Sequence, residues 1–214
     1  MIYKPNGIYR LRIIKRGGLF GRKYDYYDGS DFITGIYKNF RLSCSELDIE
    51  YDTYRASRLN QQKSIFKGLF FAAPINSFLA GGTYIWPRGD EQLANNIMDE
   101  KYRLIPLPRV YHIKMNNNSI FENHFCVYST NPAEAKIIVD QEMMERIIKF
   151  KQQIKRNIRF SLVAGICHVA ISINEELLEP SLSDPGNKED IKSHFFSILL
   201  IFSIINQLNL GRLI

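Results

Sequence analysis

The segment "SIFKGLFFAAPI", residues 64–75, carries apolar side chains at both parities: Phe66, Phe70 and Ala72 against Leu69, Phe71 and Ala73. Successive strand side chains point to opposite faces, so an apolar run without alternation leaves no face for water. The run predicts a central strand buried on both sides, and the other elements can be read by what they bring to it.

Upstream, "IYRLRII" (8–14) places Tyr9, Leu11 and Ile13 on one parity and Arg10 and Arg12 on the other. That period of two predicts a strand with a basic side, ended by the glycines of "RGGLFG". In "YDYYDGSDFITG" a turn is expected at Asp28-Gly29, ahead of a strand over about 32–38. The next segment switches parity. Phe40, Leu42 and Cys44 are even and Leu47, Ile49 and Tyr51 odd, which predicts a β-bulge or a break near Ser45-Glu46.

Beyond the central run, "TYIWP" (83–87) and "RVYHIKM" (109–115) are shorter strand candidates, separated by a surface excursion over 88–108. In "HFCVYSTNPAEA" (124–135), His124, Cys126 and Tyr128 share one strand face, with Phe125 and Val127 on the other. Asn131, Pro132 and Glu134 then make an N-cap, a first-turn proline and a reciprocal acid. The helix that follows carries Met143, Met144, Ile147, Ile148 and Ile154 on one stripe.

A hairpin turning at Ala164-Gly165 would pair Leu162 with Cys167, Phe160 with Val169 and Ile158 with Ile171 on one face, and Ser161 with His168 on the other. Residues 188–210 read as a long helix stopped by Gly211, with an apolar run at 195–205. A membrane span needs about 20 such residues, so a core helix is expected. The expected fold is a single α+β domain over 1–214. It has a largely antiparallel sheet or open barrel, with strands at 8–14, 32–54, 64–75, 83–87, 109–115 and 124–129, one amphipathic helix, the late hairpin and a long C-terminal helix.

The formal net charge is +6, and its placement is uneven. Residues 1–23 hold seven basic residues and no acid, which leaves 21 basic against 22 acidic residues in the rest. Three widely spaced cysteines, Cys44, Cys126 and Cys167, suit a reducing compartment. Motifs for chemistry are scarce. His124 and Cys126, two apart on a strand, stand about 7 Å from each other, too far for a nucleophilic pair. The histidines (112, 124, 168 and 194) fall on separate elements without zinc spacing, and no cofactor motif is present. The acids Glu46, Asp48, Glu50 and Asp52 read as a solvated strand face, and Glu175, Glu176 and Glu179 as a turn.

The segments "GLFGRKYDYYDGSDFITG", "SIFKGLFFAA", "FCVYSTNPAEAKIIVDQEMMERI" and "INEELLEPSL", in this order, resemble the bacterial family catalogued as domain of unknown function 3137 over residues 19–210. The resemblance implies no particular activity. It implies membrane-spanning segments ahead of this region in many members, whereas this chain starts at its basic segment. Phe125, Val127, Tyr128, Ser129, Thr130, Glu134 and Ala135 fit the family pattern; His124 and Cys126 do not belong to it.

The charge asymmetry leads to a functional expectation. A non-catalytic cytoplasmic domain would work at the inner face of the inner membrane, binding anionic lipid or a membrane-associated protein through Arg10, Arg12, Lys15, Arg16, Arg22 and Lys23. One alternative is a hydrolase or transferase with a site assembled from distant residues. Another is a nucleic-acid-binding module that uses the same cations with Tyr3, Tyr9, Phe20 and Tyr24 as stacking partners.

Overall fold

The structure is a computed structural model that describes residues 1–21, 24–37, 40–53, 61–75, 79–90, 109–115 and 118–173. Nine strands form one sheet: β1 (Ile2–Lys4), β2 (Tyr26–Tyr37), β3 (Phe40–Thr53), β4 (Gln61–Pro74), β5 (Thr83–Pro87), β6 (Tyr111–Ile113), β7 (Phe125–Ser129), β8 (Ile158–Val163) and β9 (Ile166–Ser172). Their order is β1-β2-β3-β4-β9-β8-β5-β7-β6, and every described pairing is antiparallel. The described helices are α1 (Leu11–Gly17), α2 (Ser119–His124), α3 (Pro132–Ile138) and α4 (Gln141–Ile154).

β4 is central and covered on both faces, as its composition requires. Its odd residues Leu69, Phe71 and Ala73 join Leu42, Cys44, Phe160, Leu162 and Val169 beneath α2, α3 and α4. Its even residues Phe66, Phe70 and Ala72 meet Tyr9, Ile14, Leu19 and Phe20, so the N-terminal segment forms the second layer. A third cluster on that second side, toward β7, gathers Tyr84, Trp86, Val110, Cys126 and Tyr128.

This architecture corrects the expected α+β arrangement of a sheet or open barrel with one amphipathic helix. The protein is dominated by an open nine-stranded antiparallel sheet whose ends are β1 and β6, carrying four short helices among the described residues. Segment 8–14 is not a strand. Its alternation spans too few residues to distinguish a strand from a short helix; α1 lies over β8 and β9, and Tyr9 and Phe20, on either side of it, meet the second face of β4. The long helix expected over 188–210 lies outside the described residues, as do residues 91–108 of the predicted excursion and Glu175, Glu176 and Glu179.

Smaller corrections have local causes. β2 runs straight through Asp28-Gly29, and Gly29 serves close approach rather than a turn: a Cβ there would stand 2.2 Å from the Glu46 carbonyl oxygen of β3. The parity change in β3 reflects a change of cover. Leu42 and Cys44 face the layer of α2, α3 and α4, whereas Leu47 and Ile49 face the α1 layer. A bulge does lie opposite Ser45, but in β2, between Ser30 and Ile33, where Asp31 takes φ 56°, and a second register shift falls at Ile49/Glu50 where β3 pairs with β4. His124 ends α2 rather than starting β7, and Asp140 breaks the predicted single helix into α3 and α4 by capping the second, its carboxylate accepting from Met143 N at 2.8 Å.

Several readings hold to the residue. Ile158, Phe160, Leu162 and Ser161 pair with Ile171, Val169, Cys167 and His168 as expected. The α4 stripe of Met143, Met144, Ile147, Ile148 and Ile154 is buried. Asn131 caps α3 by accepting from Glu134 N at 3.3 Å. The Glu134 carboxylate, however, turns away from its own helix and accepts from Ala80 N at 2.8 Å and Gly81 N at 2.9 Å, tying α3 to the chain entering β5. Hydrogen bonds to a charged group exceed neutral ones in strength. Glu134→Ala is therefore expected to lower unfolding stability by about 1–2 kcal/mol, against about 1 kcal/mol for Asn131→Ala, as measured by denaturant unfolding.

Candidate functional site

Of the six cations singled out by sequence, four are described, and α1 gathers them. Arg10 occupies its N-cap position without a side-chain cap, Arg12 and Arg16 are exposed, and Lys15 is half-buried. Arg22 and Lys23 lie outside the described residues. A helix advances by about 100° per residue. With Ile14 directed into the sheet, Arg12 and Arg16, one turn apart, project away from it, and Leu11 flanks them on the exposed side.

Two glycines fasten this helix to the sheet. The Gly17 carbonyl accepts from Ser161 Oγ of β8 at 2.6 Å, and a Cβ on Gly17 would lie 3.1 Å from the His168 ring of β9. Gly18 closes α1 in the left-handed conformation, φ 65°, with its N–H on the Lys15 carbonyl at 3.2 Å. A Cβ on Gly18 would stand 2.9 Å from the Tyr84 ring. Just ahead of the helix Tyr9 packs edge-on against Phe32 and Phe70, and its hydroxyl donates to Ser43 Oγ of β3 at 2.5 Å. Sequence reading took the glycine pair as a break. The signal for docking was the pairing of a polar Ser161 with a polar His168 on an otherwise apolar hairpin.

Ser161 and His168 superficially resemble a nucleophile and its base, with Oγ 3.3 Å from Nδ1. Their chemistry excludes that role. Both are fully buried, and the single Ser161 proton goes to the Gly17 carbonyl, so His168 Nδ1 must donate to Ser161 rather than receive from it. Burial pushes the imidazole pKa down to about 4, the contact with Ser161 opposing and Arg16 reinforcing the shift. The ring is neutral and structural.

The thiols are equally enclosed. Burial pushes Cys44 and Cys167 up to about 12, and Cys126 is buried beside Trp86 and Tyr128 while His124 is exposed at the end of α2. The predicted sharing of a face by His124 and Cys126 does not occur. His112 is exposed on β6 against the Tyr128 ring, so the three described histidines stand on separate elements. Two of the β3 acids are engaged by neighbours: Asp48 lies 3.9 Å from Lys67, and Asp52 accepts from the Tyr26 hydroxyl at 3.3 Å. Tyr9 and Phe20, two of the proposed base-stacking residues, are core residues.

A family profile with the description "Protein of unknown function (DUF3137)" matches residues 64–210. The chain belongs to the DUF3137 family. The DUF3137 match begins within β4 and takes in α2, α3, α4 and strands β5 to β9, while α1 and its cations precede it. No curated protein matches. Among solved structures, the mycobacterial trehalose monomycolate transport factor A, TtfA, aligns over 94% of this chain and 97% of its own at 10% identity and a TM-score of 0.39, a likeness too slight to transfer anything to this DUF3137 member. No helix among the described residues is long and apolar enough to cross a membrane.

Because His168 has a folded pKa near 4 against an unfolded value of 6.5, the unfolded chain takes up the proton first as pH falls. This contribution to stability is complete above about pH 6.5 and is lost as pH drops toward 4, amounting to about 3 kcal/mol. Denaturant unfolding across that window should show the loss in the wild type and a flatter profile in His168→Asn. A second expectation concerns the thiols: all three should react with a maleimide slowly in the native state and rapidly in denaturant.

Proposed function

We propose that this chain is a non-catalytic module that rests against an anionic membrane surface, with the outward side of α1 as its contact. The observation that carries this reading is the position of the cations relative to the helix. Arg10 and Arg12 stand at the N-terminal end of α1, where the helix dipole disfavours positive charge, and no acid occupies the first turn. Arg12 and Arg16 repel each other across one turn. Folding gains nothing from Arg10 and Arg12, whereas an anionic surface would: each cation near such a bilayer contributes about 1 kcal/mol, screened over about 8 Å at physiological salt. Exposed Leu11 adds apolar atoms that a bilayer interface accepts. The compartment in this reading is the cytoplasmic side of the inner membrane, which also suits three buried thiols.

Co-sedimentation with phosphatidylglycerol vesicles and with phosphatidylcholine vesicles, at low and high salt, tests the proposal. Binding is expected with the anionic vesicles alone and should weaken as salt rises. Arg10→Gln combined with Arg12→Gln should weaken it about 30-fold, the equivalent of two lost contacts, while unfolding stability stays level or rises by a few tenths of a kcal/mol. Absence of binding at low salt, or binding indifferent to the substitutions, would contradict the proposal.

A further inference from the structure

On the opposite side of the sheet, two adjoining hollows run along α4 and share Gln141. One, of about 300 Å³, is floored by buried Met115, Val139 and Met144 and edged by exposed Lys114 and Lys136. The other, of about 540 Å³, lies between Ile120 of α2 and Ile148 and Lys149 of α4. Ile120 is 60% exposed at this edge. We propose that the two hollows form one docking groove for an acidic, amphipathic helical segment of a partner protein.

Charge selects this occupant. The two acids of the groove are already engaged: the Asp140 carboxylate caps α4, and Glu145 accepts from Gln141 Nε2 at 2.6 Å. Lys114, Lys136 and Lys149 have no ion-pair partner among the described residues and outnumber the two carboxylates, so the lining of the apolar floor carries a net positive charge. Shape agrees. From Asp140 to Gln152 the hollows follow α4 for about 18 Å, which matches about three turns of a partner helix whose apolar residues recur at i, i+3 or i+4, and i+7. Methionines in the floor, being unbranched and polarizable, suit a helix face that is not uniquely shaped. All of these lining residues fall within the DUF3137 match, unlike α1, so the inference does not depend on the membrane reading.

Selection of displayed random 16-residue peptides against the full chain tests it directly. Enriched peptides should show that apolar spacing with Asp or Glu beside it. Their affinity should fall about tenfold or more in Lys114→Glu with Lys136→Glu, and separately in Ile120→Asp, both changes being at exposed positions. The α1 variant should bind them as the wild type does. Enrichment of basic or uncharged peptides, no enrichment, or binding indifferent to both groove variants overturns the proposal. A wild-type dimer dissociated by Ile120→Asp, or vesicle binding lost in the double lysine variant, would assign the groove to a second copy or to lipid and equally overturn it.

Discussion

Phe70 and Phe71 are neighbours in β4, point to opposite faces of the sheet and are both fully buried. Each contributes about 1.5–3 kcal/mol only if something covers its side, so this one strand obliges the molecule to have two outer layers. The layer of α2, α3 and α4 supplies the first. The second must come from about 20 residues at the N-terminus, and so short a cover works only by lying close. Ala72 and Ala170 keep the sheet side low beneath it, and Gly17 and Gly18 bring the helix backbone onto the rings of His168 and Tyr84.

The same constraint shapes the charged surface. A helix that must bury Ile14 sends its polar residues outward, and here those residues are two arginines and a lysine with no acid among them. The Gly17–Ser161–His168 contact thereby connects packing to electrostatics. It fixes the end of α1 through a buried, neutral imidazole, and so fixes the direction in which Arg12 and Arg16 face. A catalytic reading of Ser161 and His168 fails for the reason the structural one succeeds: the serine proton is committed to a backbone carbonyl.

Much of the sheet was legible in the sequence because strand signals there are local. Non-alternating "GLFFAA" identified the central strand, and the register of the hairpin followed from matching apolar positions about Ala164-Gly165. The errors arose where a local pattern is decided from elsewhere. "IYRLRII" fits two periods, and packing of its end against β8 and β9, with Ile14 buried, settles between them. The parity change in β3 looked like a bulge because a sequence does not reveal which face is covered; it is the cover that changes, while the bulge opposite Ser45 belongs to the partner strand β2. Glu134 fits a reciprocal cap in sequence, yet the chain entering β5 offers two backbone N–H groups instead. The cations were visible as a cluster, but their direction needed α1. The α4 groove was invisible, since Lys114, Ile120, Lys136 and Lys149 meet only through tertiary packing.

In this account the sheet is a plate with two working sides, cationic α1 on one and the α4 groove on the other. Orientation on a bilayer tests that geometry most directly. Nitroxide labels placed by Leu11→Cys on α1 and Gln152→Cys on α4, with the buried native thiols left unlabelled, would be compared on phosphatidylglycerol vesicles by their accessibility to a water-soluble relaxation agent. The account predicts that the label at 11 becomes shielded on binding while the label at 152 stays exposed to water. Shielding of 152 rather than 11, or of neither while the chain is bound, would contradict it.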